Sequence, residues 1–393
     1  MIQILNKKDC ISCFSCANKC PKEAISMHED QEGFKYPAVD NQKCIECGIC
    51  NKICPVNNPP LRKNHSNPDV YAAWSKNEQI RTDSTSGGIF SELAMEIYAQ
   101  GGGVSGAVYT TDWHVRHMVS YDKEDLIQIR SSKYLQSDLN QIFLKIKGDL
   151  DTGRNILFCG SPCQVAALYN FIEKDYANLF TIDFICKGMN SPKIFTKYLS
   201  YLEERYKSKA TYVKFKNKKY GWHNFSTKVS FANGKNYYGW RFTDTFMVGY
   251  LKYNAFMRPS CYDCKFKNFP RIADITLADF WGIENIDKRL DEDKGTSMVL
   301  INSTKGSELF HKIKDKIKAE IVTSENVFQS NVCVNESSKM TKARYHVFHD
   351  IDTLTYKELS DKYFPEPPIF EKVMLALKFN KITQALYRKL KKL

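Results

Sequence analysis

Three stretches predict an α+β chain with an α/β part. The pattern Cys10-x-x-Cys13-x-x-Cys16-x-x-x-Cys20-Pro21 returns as Cys44-x-x-Cys47-x-x-Cys50-x-x-x-Cys54-Pro55. Such an internal repeat marks a small cysteine-rich module. Residues 155–206 alternate apolar run, helical pattern, apolar run, helical pattern, and a strand–helix–strand unit needs parallel strands. Residues 210–250 alternate apolar and polar side chains about an Asn233-Gly234 turn, the pattern of hairpins. The expected architecture is therefore an N-terminal ferredoxin-like domain followed by a mixed-sheet α/β domain.

The doubled cysteine run has the spacing of bacterial ferredoxins. Three thiolates two residues apart wrap one cubane, and the fourth, followed by Pro, reaches across to the other cluster. Cys10, Cys13, Cys16 and Cys54 are thus expected to hold one [4Fe–4S] cluster, and Cys20, Cys44, Cys47 and Cys50 the second. Zinc sites use paired C-x-x-C units without a trailing Cys-Pro, and disulfides need an oxidising compartment. The apolar neighbours Ile11, Ile45 and Ile49 are expected to keep water from the sulfurs. Between the runs, Ile25 to His28 and Glu32 to Val39 alternate about a Gly turn, as a hairpin does.

At 393 residues, with 24 Phe and 22 Tyr, the chain has enough apolar material for two or three domains. Met1 to Asp9 holds no signal-peptide core, and no apolar run approaches the about 18 residues of a membrane span. With 14 Cys, this composition points to metal ligation in a reducing cytoplasm. The formal charge of +13 could indicate nucleic acid, but no nucleic-acid motif accompanies it. Each bound cubane would subtract roughly two charges. The remainder suits an acidic redox partner, such as a ferredoxin, or an anionic cofactor or substrate.

Along the chain, residues 1–58 form the cluster module and residues 59–69 a Pro-rich polar linker. Val70 to Trp74 reads as a strand. Ser84-Thr85-Ser86-Gly87-Gly88 then precedes a helix from Ile89, and such a loop offers N–H and hydroxyl groups to an anion, for instance a flavin pyrophosphate. On sequence alone the ordinary capping loop is the first reading. His114 and His117 read as surface residues. Ser132-Lys133-Tyr134-Leu-Gln136-Ser137 is, by composition, a plain polar loop. Asn155 to Cys159 and Phe180 to Ile185 read as parallel strands. Cys163 and Cys186 then follow their carboxyl ends, the edge where open α/β sheets bind ligands. Cys261-Tyr-Asp-Cys264 alone reads as a zinc or redox pair. With Cys163 and Cys186 it makes four thiols, enough for a third [4Fe–4S] cluster. Cys159 and Cys333 are left as buried free thiols. Ser307 to Ile317 reads as a helix, and residues 341–393 as a helical, basic tail.

These motifs, with Ile185-Cys186, Ser191-Pro192 and Asp274-Ile-Thr-Leu-Ala278-Asp279-Phe280-Trp281-Gly282, resemble the coenzyme F420 hydrogenase/dehydrogenase beta-subunit family over about Cys10 to Trp281. The resemblance implies a flavin-binding α/β domain at 70–340 that takes FAD. It places Ser84, Thr85, Ser86, Gly87, Gly88, Ser132, Lys133, Tyr134, Gln136 and Ser137 against the flavin. It gives Cys163, Cys186, Cys261 and Cys264 a third cluster. Lys187 stands where members often have His, and Ala278 where they often have Gly.

The expected activity is oxidoreduction in the cytoplasm. Electrons from ferredoxin-type clusters would pass through the third cluster to FAD and on to a deazaflavin-like or other conjugated small molecule, or in reverse. The other reading is a non-catalytic subunit wiring a partner enzyme to ferredoxin. Lys133, Tyr134 and Lys187 stand as proton-donor candidates by position alone.

Overall fold

The computed structural model describes residues 2, 6–323 and 331–379. Its strands are β1 (Ile25–Glu29), β2 (Lys35–Val39), β3 (Asp69–Ser75), β4 (Gly103–Tyr109), β5 (Val115–Ser120), β6 (Ser137–Asp138), β7 (Ile156–Cys159), β8 (Leu179–Phe184), β9 (Ala210–Asn217), β10 (Ser226–Phe231), β11 (Asn236–Trp240), β12 (Ile275–Asp279), β13 (Ser297–Ile301) and β14 (Ile317–Val322). They group into two compact units. One contains residues 1–192 and 258–338, the other residues 193–257 and 339 onward.

The first unit is built on a nine-stranded sheet of order β14-β3-β13-β12-β8-β7-β4-β5-β6. Its centre, β12-β8-β7-β4, is parallel, as the strand–helix–strand pattern requires. Antiparallel strands flank it: β13, β3 and β14 on one side, β5 on the other. The sheet is thus mixed.

Successive residues of β7 serve opposite faces, the consequence of a two-residue side-chain period. Ile156 and Phe158 join a core with Phe14, Ile53, Phe143, Leu168 and Phe171. Leu157 joins another with Leu93, Ile97, Ile182, Val299 and Leu309. Helices Ile142–Asp151 and Pro162–Ile172 cover the first face, and Ile89–Ala99 and Thr304–Lys312 the second. Phe14 and Ile53 come from the cysteine module, so that module packs into the main core rather than standing apart. The expected linker is also pinned: Asn64 Nδ2 donates to the carbonyls of Arg271, Ile272 and Ala273 at 2.7, 3.1 and 3.0 Å, and Arg62 lies over the Tyr169 ring at 4.1 Å.

The helix expected at Ser307 to Ile317 is shorter. It spans Thr304–Lys312, followed by a 3-10 turn and the edge strand β14. Ile317 reads as the end of the helix locally, but pairing with β3 decides its conformation.

The second unit holds the antiparallel sheet β11-β10-β9 with the expected turn at Gly234 (φ 82°). Its core is aromatic: Phe195, Tyr198, Phe215, Phe246, Phe256 and Phe364 meet at ring spacings of 4.9–6.2 Å. The expected basic tail is helical over Lys342–Asp350, Tyr356–Tyr363 and Ile369–Phe379. Its residues Lys381, Arg388, Lys389, Lys391 and Lys392 lie outside the described residues.

Candidate functional site

The two cysteine runs fold alike. Ser12 and Phe14 have φ of 54° and 61°, and their counterparts Glu46 and Gly48 have 52° and 74°. Left-handed residues are costly for side chains other than Gly. Here they curl each run, and one-turn helices follow at Ser15–Asn18 and Ile49–Lys52. Cys10, Cys13, Cys16 and Cys54 line one pocket. Cys20, Cys44, Cys47 and Cys50 line another. The grouping by pocket thus crosses over between the runs. Ile11 borders the first pocket and Ile49 the second. Ile45 borders the second too, but it is 58% exposed and Cys47 is exposed, so that end is open to solvent.

Cys163, Cys186, Cys261 and Cys264 line a third pocket. Helix Pro162–Ile172 opens with Ser161 and Gln164 forming a capping box, so Cys163 sits in its first turn. Cys186 follows β8, one of the parallel strands. Cys261 lies in the 3-10 turn Pro259–Asp263, and Ser337 Oγ accepts the N–H of Cys264 at 3.0 Å. Ile11 and Val56 line both this pocket and that of Cys10. These two apolar residues are therefore the shared wall.

Burial pushes the Cys13 thiol up to about 12, with Cys54 and Cys10 adding to the rise. Burial pushes Cys163 well above its usual range, and Cys264, Cys186 and Cys261 push it further. Burial raises Cys261 to about 11 against the pull of Arg258 and Lys267. Four thiols lining one pocket form the donor set of a metal centre, because a bound polycation supplies the charge that lets all four shed their protons. Each of the three pockets presents such a set, so the residues fit a four-thiolate centre.

The loops proposed for the flavin meet one another. Ser132 N–H donates to Thr85 Oγ1 at 3.1 Å, and the two hydroxyls are 3.4 Å apart. Arg130 pairs with Asp83 at 2.7 Å, which ties the same two segments. Ser86 Oγ donates to the Thr296 carbonyl and Ser297 Oγ accepts from Gly87 N–H, at 2.8 and 2.9 Å. A Cβ at Gly87 would lie 2.3 Å from the Ala73 carbonyl, so no other residue fits there. Ser84 is buried, with its hydroxyl 3.4 Å from that of Ser91, and Gly88 (φ 91°) caps the helix that follows.

The rest of the second segment is committed within the protein. Lys133 Nζ donates to the carbonyls of Gln128, Ile129, Arg130 and Ser131 at 2.6–3.2 Å. Burial pulls its pKa down to about 7, while the carbonyls favour the ammonium. The Tyr134 carbonyl accepts from Asn190 Nδ2 at 2.9 Å, and Gln136 Oε1 accepts from Arg258 at 2.9 Å.

His117 was expected at the surface, but it is 5% exposed. Its Nε2 lies 3.1 Å from the Cys159 carbonyl, an obligate acceptor, so Nε2 carries the proton. Nδ1 then accepts from Ser137 Oγ at 2.9 Å, and Ser137 Oγ accepts from Gln164 Nε2 at 2.9 Å. Gln164 Oε1 accepts the Ser161 N–H at 2.9 Å, and the Ser161 hydroxyl stands 3.1 Å from Cys163 Sγ. Burial lowers His117 to about 4, so the ring is neutral. The partners come from Ser137 and from residues 159–164, both distant from His117 in sequence, so no local pattern could have shown them. His114 is half-exposed. Cys159 and Cys333, expected as buried thiols, are each only partly covered.

Three family models match the chain. Residues 70–143 match the model for the coenzyme F420 hydrogenase/dehydrogenase beta subunit N-terminus, and residues 153–326 that for its C-terminus. Residues 9–58 match the 4Fe-4S dicluster domain. Over about this last stretch the chain is 39% identical to an NADH-quinone oxidoreductase subunit I of Geobacter metallireducens, covering 13% of this chain and 43% of that one. It is 37% identical to an uncharacterized ferredoxin of Methanocaldococcus jannaschii, covering 14% of this chain and 69% of the ferredoxin. It is 38% identical to pyruvate synthase subunit PorD of Thermotoga maritima, covering 14% and 52%. The chain spans less than half of the Geobacter subunit. A structure of the F420-reducing [NiFe] hydrogenase complex from Methanosarcina barkeri covers 81% of this chain and 96% of that chain, at 17% identity and a TM-score of 0.45. Among the described residues no helix is long and apolar enough to cross a membrane. With both halves of the subunit model matched around these cysteine pockets, the chain belongs to the coenzyme F420 hydrogenase/dehydrogenase beta-subunit family, as an iron–sulfur electron-transfer member with a 4Fe-4S dicluster domain.

Proposed function

We propose that this protein moves electrons between a redox protein docked near Cys47 and a bound FAD, through three [4Fe–4S] clusters, and exchanges them there with a deazaflavin-like or other conjugated small molecule. The observation that carries the reading is the shared wall. Ile11 and Val56 separate the Cys10 pocket from the pocket of Cys163, Cys186, Cys261 and Cys264 by a single apolar layer. When bound, the clusters supply one-electron transfer and the flavin converts single electrons into a pair.

The chain's own residues have other tasks. The twelve thiolates hold the irons. Ile11 and Val56 exclude water between two centres. The loop at Ser84 to Gly88 and the Ser132 to Ser137 segment, joined at Thr85 and Ser132, take the flavin. The buried Lys133 ammonium keeps that second segment closed and is not required to move a proton.

The test is anaerobic purification with iron, sulfide, zinc and flavin analysis. About twelve irons with one flavin per chain support the reading. About eight irons without flavin would leave a subunit that passes electrons to a partner enzyme and catalyses nothing itself. Zinc with about eight irons would make the third set structural.

A further inference from the structure

Two buried cations that border the pocket of Cys163, Cys186, Cys261 and Cys264 have only neutral partners. Arg258 is 2% exposed and Lys267 4%. Arg258 donates through Nε to the Cys10 carbonyl at 2.6 Å and through its terminal nitrogens to Gln136 Oε1 at 2.9 Å and the Lys35 carbonyl at 3.0 Å. Its guanidinium lies over the Tyr36 ring at 4.2 Å. Lys267 Nζ donates to the carbonyls of Cys186 and Cys333 at 2.6 and 2.9 Å. Among the described residues no carboxylate pairs with either cation. Arg271 nearby shows the contrast, because Asp183 neutralises it at 2.8 Å. Asp9 and Asp263 border the same pocket without reaching Arg258 or Lys267. Burying a cation against neutral acceptors is costly, and an anion close by would offset that cost.

Both side chains border the pocket lined by Cys163, Cys186, Cys261 and Cys264. We propose that Arg258 and Lys267 are the fixed counter-ions of a [4Fe–4S] centre held by those four thiolates, and that they set its reduction potential. The inference rests on the third-cluster reading. Two positive charges match the roughly two negative charges of an oxidised four-thiolate cubane. One-electron reduction adds one further negative charge and requires no proton. Fixed cations in a low-dielectric site favour the more negative form, so they raise the midpoint potential.

The two cations differ in reach. Lys267 reaches the Cys186 carbonyl of the third set and, outside it, that of Cys333. Arg258 bonds to the Cys10 carbonyl as well as bordering the third pocket, so it acts on two centres. This asymmetry separates a charge effect from a general loosening of the fold.

The experiment is a reductive titration of the full chain with dithionite, followed by electron paramagnetic resonance, after iron and sulfide have been counted. Lys267→Gln is expected to lower the midpoint of one centre, and Arg258→Gln those of two. Lys267→Arg and Arg258→Lys are expected to restore most of each shift. About eight irons in the unsubstituted protein would overturn the third-cluster reading, and this inference with it. About twelve irons with midpoints unmoved in both Gln variants would overturn the counter-ion inference alone. Where a Gln variant loses the third centre, the charge-retaining variant decides. Iron kept by Lys267→Arg supports the charge role, and iron lost by both variants overturns it.

Discussion

The side-chain oxygen of Thr85 accepts the backbone N–H of Ser132 at 3.1 Å. This bond joins the loop after β3 and its short helix to the loop after β5, the two segments proposed to take the flavin. Thr85→Val keeps the shape but leaves that N–H unpaired, a cost of about 1–3 kcal/mol. The expected result is flavin affinity weakened roughly tenfold or more. Ser132→Ala keeps the N–H and should keep the flavin. Bound flavin measured after anaerobic desalting checks both, and an unchanged flavin content in Thr85→Val would place the flavin elsewhere.

Cys264→Ser should remove about four irons per chain and leave about eight. The signals of the two ferredoxin-type centres should persist, because Cys264 borders neither of their pockets. Cys159→Ala is the control. Cys159 ends β7, where burial and Asp183 push its thiol up to about 12, and it lines none of the three cysteine pockets. Loss of iron from Cys159→Ala would mean that the third ligand set is wrongly drawn.

Two buried groups should make stability depend on pH in opposite directions. Burial lowers His117 to about 4 from 6.5. The unfolded chain therefore binds the extra proton, and stability is full above about pH 6.5 and falls as pH drops towards 4. Burial raises Asp244 to about 6 from 3.8 against hydrogen bonds from Tyr198, Tyr237 and Met247 N–H. There the folded chain holds the proton, and stability is full below about pH 3.8 and falls as pH rises through 6. The two slopes oppose each other between about pH 4 and 6, so the whole protein should look nearly flat. Asp244→Asn should expose the difference. Relative to it, the unsubstituted protein should lose about 1 kcal/mol between pH 5 and 7. Urea unfolding at those two values measures this, and a constant gap would show that Asp244 does not titrate there.

Much of the fold and part of the candidate site were legible in the chain because their signals are local. The cysteine spacing, the parallel pair β7 and β8, and the hairpins of β9 to β11 each follow from residues close in sequence. What was not legible depends on distant partners. Ile317, the first residue of β14, looked like the end of a helix until β3 paired with it. His117 looked like a surface residue because Ser137 and the Cys159 carbonyl, which satisfy it, lie on other segments. Arg258 was passed over because its acceptors, Cys10, Lys35 and Gln136, all lie more than a hundred residues away along the chain. Buried polar groups are where local pattern fails, since their burial depends on partners that only the fold supplies.

The ion pair of Asp183 and Arg271 gives the last prediction. Both are buried, Arg271 Nη2 meets Asp183 Oδ2 at 2.8 Å, and Thr276 Oγ1 donates to Asp183 Oδ1 at 2.5 Å. Arg271 Nε has no acceptor among the described residues, and the side chain borders the third cysteine pocket. Arg271→Met leaves the Asp183 carboxylate buried with a single hydroxyl donor and should destabilise the protein by about 3–5 kcal/mol. The double variant Arg271→Met with Asp183→Leu removes both charges and should recover much of that loss. Urea midpoints compare the two. If the double variant is no more stable than Arg271→Met, the pair is not an isolated charge balance. The guanidinium would then be holding the pocket through contacts other than Asp183, and iron content should fall in both variants alike.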